Sequence, residues 1–442
     1  MSGKISLKLK KLVSFLKLIR ELYRLTKVDL FLSYIIFIFS FIKFILSTNI
    51  KKNITSVLIS EAGFGHTITD VEMINFVLNE NYMVLILSEH KRHNWALNKA
   101  WKNIKVYNIR KTAPLFSSDT QLIMQKFCTN FIYRIYGLFN MKLIEFDNNF
   151  NRTYLKESEG IMSKLINKAK KFKDYDYISP KNYPSYFSYP NVYEGHYAYF
   201  FLRNKIHQDN IELLNSIKKR FSKRLNNLNK KNKQIINIYL RQKGNDLRCG
   251  SSIEVWSIVI KYLIDKGFFI LITGDRSINS FPKEIRKYIF THESFKMNKD
   301  IYSISAPYFC NYYISEMGGG SWLGMVMNKP VLMVNCWQYW GSGGTNFYLL
   351  FKNLLNKNTK KYVDIKLAIK KYFWEINVPN NHILECNDDK QIIQAFNDLY
   401  IKNKNIIQFA EIDYKFKHSW GSITNSKLVS SNKFDKTILN KN

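Results

Sequence analysis

Acidic residues are scarce in this chain. Only 34 aspartates and glutamates oppose 67 lysines and arginines, leaving a net charge of +33 over 442 residues. Two sources of that excess stand side by side. One is an anionic partner such as membrane lipid, nucleic acid or a phosphorylated substrate. The other is an AT-rich genome, since Lys, Asn and Ile are abundant throughout. Cysteine is sparse as well: Cys128, Cys249, Cys310, Cys336 and Cys386 are odd in number and widely spaced, with no C-x-x-C. That argues against a disulfide framework and a structural zinc site, and it suits a reducing cytoplasm. No repeat of about 20–50 residues is present, which excludes a solenoid. No RRM, KH, zinc or helix-turn-helix signature accompanies the basic charge, which argues against nucleic acid as the partner.

What is present suffices for folded cores. Hydrophobic residues make up 46% of the chain, and the length suits two domains with additions. The N-terminus is the most basic and the most apolar region at once. Lys4, Lys8, Lys10, Lys11, Lys17, Arg20, Arg24 and Lys27 precede an apolar run over 30–46, interrupted by Lys43. Among the basic residues, Leu12, Phe15, Leu16, Ile19, Leu22 and Tyr23 recur at helical spacing, as in a cationic amphipathic helix. The apolar run is borderline for a bilayer span of about 20 residues. The favoured reading is an in-plane or shallow membrane anchor. A single span and a helical hairpin packed on the protein are the alternatives.

Two alternating series follow. Strands are expected at 54–60, 83–88 and 104–109, with helices after Asp70 and from about Trp95. Alternation of this kind implies βαβ units and a parallel sheet. A helix is expected over 120–140, an aromatic-rich stretch over 181–201 and a basic helix over 211–228. The basic stretch at 229–233 then reads as a domain boundary. The second series has strands at 235–240, 268–273, 312–315 and 331–335. Ser251 and Glu254 read as a capping box opening a helix that Gly267 closes. The expected organisation is a membrane-associated segment (1–50), an acceptor domain (51–230), a donor domain (231–405) and a tail (406–442). The fold class is α/β and GT-B-like, with two Rossmann-like domains facing a cleft.

Ligands of such sheets bind beyond the carboxyl ends of the strands, and the candidate residues are chosen there. Gly318, Gly319, Gly320 and Ser321 follow a strand and open a helix, where exposed N–H groups favour phosphate. No Gly-Lys-Ser/Thr follows, so this is not a P-loop. Arg241, Lys243 and Arg248 lie past another strand and could neutralise a leaving diphosphate. Gly63, Gly65 and His66 follow the first strand, where a neutral imidazole could take a proton from an acceptor hydroxyl. Glu61 is the rival base. Thr67 and Asp70 read as a capping box. The aromatics between Tyr183 and Tyr199 are core or stacking platforms, with Glu194 and His196 the polar residues among them.

The segments Asn237–Arg241, Ile270–Asp275, Tyr312–Ser321 and Lys329–Asn335, with the tail Phe416–Ile423, occur in an order that resembles a bacterial family. That family comprises GT-B glycosyltransferases found with surface-polysaccharide genes. The resemblance spans roughly 235–423; the first half is similar in layout only. It implies a nucleotide diphosphate sugar bound in the second half, at Gly274, Asp275, Glu316 and the residues above, and a lipid-linked or polysaccharide acceptor in the first half. No Asp-x-Asp stands at a strand end, which fits a metal-free reaction with the nucleotide sugar as substrate and no cofactor. The expected location is the cytoplasmic face of a bacterial membrane, peripheral or single-span, with the anionic surface as partner. A polyol-phosphate transferase or a sugar-nucleotide epimerase is the same-fold alternative. A basic nucleic-acid binder is the alternative of another class.

Overall fold

The computed structural model describes residues 28–48, 54–59, 64–78, 82–86, 100–102, 105–108, 128, 130–145, 160–175, 177, 194–195, 198–199, 201–203, 212–241, 249–337, 347–364, 367–368, 378–400, 406–408 and 427–429. The chain divides into two compact units. The first comprises Met1–Gly63, Glu80–His93 and Ile104–Phe146; the second comprises Phe64–Asn79, Asn94–Asn103 and Asp147–Asn442.

The first unit holds helix α1 (Val28–Thr48) and strands β1 (Thr55–Ile59), β2 (Tyr82–Ile86), β3 (Lys105–Asn108) and β4 (Leu143–Glu145). The strands form one sheet in the order β3-β2-β1-β4, and every pair is parallel. The apolar run near the N-terminus is α1. Its Phe37, Phe41 and Phe44 are buried with Leu58, Met83, Cys128, Ile132 and Tyr136. Phe131 sets its ring edge against Phe37 and Phe41. The opposite side of α1 exposes Leu32, Ile36, Phe39, Ile42 and Leu46. Among the described residues no helix is long and apolar enough to cross a membrane. The single-span alternative is thereby corrected: α1 spends one face on the core of its unit.

The second unit holds α2 (Phe64–Val77), α3 (Ile161–Ala169), α4 (Asn215–Leu228), β5 (Ile235–Leu240), α5 (Ile253–Asp265), β6 (Phe269–Gly274), β7 (Ile289–Phe290), α6 (Lys299–Phe309), β8 (Tyr312–Glu316), α7 (Ser321–Val326), β9 (Val331–Cys336), β10 (Phe347–Phe351), β11 (Asn353–Asn356), β12 (His382–Glu385), α8 (Asp389–Tyr400), β13 (Ile406–Gln408) and β14 (Lys427–Val429). Eight strands form the main sheet in the order β13-β14-β10-β9-β8-β5-β6-β7. Its pairs are parallel except β13 with β14. Apolar runs such as Phe269–Ile272 and Val331–Val334 are buried, as strands covered on both faces require. On α5, Trp256, Val259, Ile260 and Leu263 recur at helical spacing and join the sheet core, together with Ile392, Ala395, Phe396 and Leu399 of α8.

Local details depart from expectation in three places. The cap of α5 is Ser252, whose side chain accepts from Val255 N. Ser251 instead donates to Asn387 O at 2.7 Å. Helix α2 already begins at Phe64, so Thr67 and Asp70 lie inside it and form no capping box; Asp70 is buried there. Trp101 makes an isolated bridge with Leu213 where a helix was expected, and 95–99 lie outside the described residues. Gly267 does close α5 with a φ of +90° that favours glycine. The two sheets lie on either side of the expected boundary near 230. The compact units are partitioned differently, because Phe64–Asn79 and Asn94–Asn103 belong with the later chain.

Candidate functional site

In the main sheet the chain runs outward from β5 through β6 to β7. It then returns to the other side of β5 as β8 and continues outward through β9 to β10. The connections therefore diverge between β5 and β8. At such a switch point the loops leave a crevice beyond the carboxyl ends of the strands, where nucleotides bind in open α/β sheets. Arg241 directly follows β5, and Met317-Gly318 follows Glu316, the last residue of β8.

Glu316 organises this end. It is buried, and its Oε2 accepts from the Arg241 backbone N–H at 2.6 Å. Its Oε1 accepts from the Trp256 indole at 2.8 Å. Burial raises the carboxyl above its ordinary range, while the Arg241 N–H, the Trp256 indole and the Arg276 charge pull the other way. Gly250 lies against the same carboxylate, so a Cβ there would overlap it.

Two arginines meet at the strand ends, the Arg276 guanidinium on the Arg241 main chain. Arg241 Nη1 donates to Met317 O at 2.9 Å. Arg276 donates through Nε and Nη2 to Arg241 O at 3.2 and 2.8 Å. Both side chains are partly exposed. Gly274 makes the turn that brings Asp275 and Arg276 here: its φ is +103°, and a Cβ would overlap Leu240 O. Asp275 N donates to the same carbonyl at 3.1 Å.

The glycine turn is tied to these groups from beneath. A Cβ on Gly318 would lie 2.6 Å from Arg241 Nη1, and one on Gly320 would overlap the Tyr239 ring. Tyr313 Oη donates to Gly320 O at 2.7 Å, and Ser321 Oγ to Gly318 O at 2.5 Å. Gly320 is thus demanded by packing against the Tyr239 ring, while Gly318 leaves room for the Arg241 guanidinium, roles the sequence reading did not give them. Gly318 and Gly319 are both half-exposed, and Gly320 is buried. Helix α7 has only six residues, so its dipole adds little beyond the local N–H groups.

Beside the cations, a pocket of about 250 Å³ opens at the ends of β6 and β7, walled by Gly274, Arg276, Ser277, Thr291, His292 and Ser303 among others. Thr291 Oγ1 is buried and has no hydrogen-bond partner among the described residues. The pocket offers hydroxyls and backbone for a polar ring, with the two cations adjoining it.

The remaining expected residues are only partly placed. Glu61, Gly63, His196, Lys243 and Arg248 lie outside the described residues, as does the tail 416–423. Gly65 and His66 belong to the first turn of α2 rather than to a loop, and the His66 side chain is outside the described residues. Further along α2, Glu72 Oε1 accepts from Tyr199 Oη at 3.2 Å. Arg203 donates to Tyr199 Oη at 3.2 Å and to Met325 O at 3.0 Å, which ties α2 to α7. Burial holds the Asp70 carboxyl well above its usual range. It raises Glu72 as well, against the opposing pull of Arg203 and Tyr199. Tyr199 is core, and Glu194 is buried and bonded by Tyr175. The sequence reading missed Arg276, Trp256 and Tyr239. Arg276 had a visible signal, since it directly follows Gly274-Asp275 at a strand end.

No protein-family model and no curated protein matches the sequence. Among solved structures, the chain is similar to the glycosyl transferase family 9 protein from Veillonella parvula DSM 2008, at 12% identity and a TM-score of 0.44, over 80% of this chain and 99% of that one. It is similar to the ADP-heptose LPS heptosyltransferase II of E. coli at 8% identity and a TM-score of 0.36, over 79% and 100% of the chains. It is also similar to the UDP-GlcNAc 2-epimerase of Neisseria meningitidis bound to UDP-GlcNAc, at 13% identity and a TM-score of 0.36, over 88% and 100%.

Proposed function

We propose that this chain is a GT-B-type glycosyltransferase that moves a sugar from a nucleotide diphosphate sugar to a lipid-linked or polysaccharide acceptor in cell-surface glycan synthesis. One observation carries the reading: Arg241 and Arg276 converge at the switch point of a parallel sheet, beside a glycine turn and a polar pocket. Cations there would offset the charge of a diphosphate as it leaves. The pocket at the ends of β6 and β7 would take the nucleoside. Lys243 and Arg248, on the loop after Arg241, would add charge. The chemistry uses the nucleotide sugar as substrate and needs no catalytic metal.

The acceptor is assigned to residues 51–230, with His66 as general base and Glu61 as its rival. The location is the cytoplasmic face of a bacterial membrane. The exposed apolar stripe of α1 supports this, because the eight basic residues between Lys4 and Lys27 precede it. Apolar area that enters the interface, next to cations that meet anionic headgroups, is the pattern of a peripheral anchor. The function is tested by thermal-shift screening against UDP, GDP, CDP, dTDP and ADP and their sugars. A ligand at a hundred times its Kd should add about 2.7 kcal/mol of stability. A flat response to all five series sinks the reading.

A further inference from the structure

Cys249 and Cys386 are 137 positions apart, yet their sulfurs lie 3.6 Å from each other. Both residues are partly exposed, whereas Cys128, Cys310 and Cys336 are buried. Lys352, itself buried, donates from Nζ to Cys249 Sγ at 3.1 Å. Cys386 Sγ faces the carbonyls of Cys249 and Gly250 at 3.5 and 3.4 Å. Burial pushes the Cys386 thiol up to about 11; Lys352 pulls it back and Cys249 pushes it further.

We propose that Cys249 and Cys386 are a peroxide-responsive thiol pair that closes into a disulfide and withdraws nucleotide binding at the adjoining site. The step needs hydrogen peroxide. The Cys249 sulfur attacks the peroxide: an S–O bond forms, the O–O bond breaks, and the departing hydroxide leaves as water with the thiol proton. The Cys386 sulfur then attacks Cys249. The S–S bond forms, the S–O bond breaks, and the hydroxyl departs as water with the Cys386 proton. Each sulfur gives up one electron, and the peroxide is reduced to two waters. The Lys352 ammonium lies beside Cys249 as charge builds on it.

The consequence for binding follows from what is fixed and what can move. A disulfide requires about 2.05 Å between sulfurs, so the pair must approach. The Cys386 side is anchored by Asn387. Its N–H donates to Asn335 Oδ1 at 2.7 Å, its Oδ1 accepts from Asn335 N at 2.7 Å, and its Nδ2 donates to Phe351 O at 2.7 Å. Ser251 is held to Asn387 O as well, so the shift falls on Cys249 and on Gly250, which joins it to that anchor. Gly250 lies against the Glu316 carboxylate, and that carboxylate holds Arg241. Closure thus moves the group that sets the Arg241 main chain. This last link rests on the nucleotide-binding reading of Arg241.

The test uses the full chain. Reduced protein is titrated with hydrogen peroxide, and each sample is split. One half is digested and searched by mass spectrometry for a Cys249–Cys386 linked peptide. The other is titrated calorimetrically with the nucleoside diphosphate that stabilises it most among UDP, GDP, CDP, dTDP and ADP. The expected result is a linked peptide, an affinity about tenfold weaker or worse, recovery with dithiothreitol, and neither change in Cys386→Ser. Absence of the linked peptide overturns the proposal, as does linked protein that binds as tightly as reduced protein. If reduced protein binds none of the five, the glycosyltransferase reading fails, and the linked peptide alone decides for or against the thiol pair.

Discussion

The carboxylate of Glu316 grips Arg241 by its main chain: Oε2 accepts from the Arg241 N–H at 2.6 Å, while Arg241 Nη1 reaches over to Met317 O at 2.9 Å. The side chain is thus displayed from a backbone fixed independently of it. Arg241→Ala should leave the fold intact and weaken nucleotide diphosphate binding. Hydrogen bonds to charged groups are worth roughly 1.5–3 kcal/mol, so the expected loss is about ten- to a hundredfold by calorimetry. Equal affinity in wild type and variant would remove Arg241 from the donor site.

Glu316 also predicts a pH dependence. Burial raises its carboxyl above 4.5 in the folded chain. The folded state therefore keeps a proton that the unfolded state has released, and stability falls as pH rises from about 4.5 through the folded value. Glu316→Gln should flatten that slope. Because one amide oxygen replaces two carboxylate oxygens, the variant should be about 1 kcal/mol less stable near pH 4, with the gap narrowing as pH rises. Urea denaturation between pH 4 and 8 reads both effects. Parallel slopes in the two proteins would reject the assignment.

Two glycines should respond oppositely to alanine. In Gly320→Ala the new methyl meets the partly buried Tyr239 ring, and overpacking of this kind costs roughly 1–3 kcal/mol. In Gly137→Ala the methyl meets nothing within 4 Å. That position is helical and exposed, so a gain of about 0.5 kcal/mol is expected. Thermal melts that rank the two variants the other way would contradict the packing described for the turn.

Membrane attachment can be separated from folding. Phe37, Phe41 and Phe44 are core residues, so removing 1–50 should destabilise the first unit. Removing 1–27 while changing Phe39 and Leu46 to Glu leaves that core in place, since both side chains are exposed. This variant should stay folded and no longer float with anionic vesicles at physiological salt. Continued flotation would move the anchor elsewhere, with the basic helix α4 the next suspect.

The catalytic base is tested by substitution at two positions. A general base contributes roughly 10²–10⁴-fold. His66→Ala should cut kcat by about that factor, with donor affinity unchanged. Glu61→Gln is the comparison, and the assignment passes to Glu61 if only that change lowers turnover.

The sequence was most legible where strands are buried on both faces. Ile235–Leu240, Phe269–Gly274, Tyr312–Glu316 and Val331–Cys336 read as apolar runs and are strands within a residue or two of expectation. The ends of those strands were legible too, because Arg241, Gly274 and Gly318 punctuate them. What stayed hidden depends on contacts between distant residues. Nothing near Cys249 announces Cys386, and nothing near Gly318 announces that its bare side will be covered by Arg241. Helix α1 left several readings open for a similar reason: an apolar run looks the same whether lipid or a core receives it. Asp70 likewise read as a capping residue, yet it is buried inside α2, where Tyr199 reaches the neighbouring Glu72.

Helix α2 has a consequence for how the protein is made. It leaves the ribosome well before α7, carrying Ile68, Val71, Met73, Ile74 and Phe76 together with the carboxyls of Asp70 and Glu72, all destined for burial. Its packing partner α7 and the Arg203–Met325 bond belong to chain synthesised much later. Domains generally fold as units during synthesis, N-terminal first. Here α2 has to wait, its apolar side chains without their partners, until α7 has been translated. Yield in a living cell should therefore depend on elongation rate and on chaperones that shield nascent helices, more steeply than the stability of the finished protein would suggest.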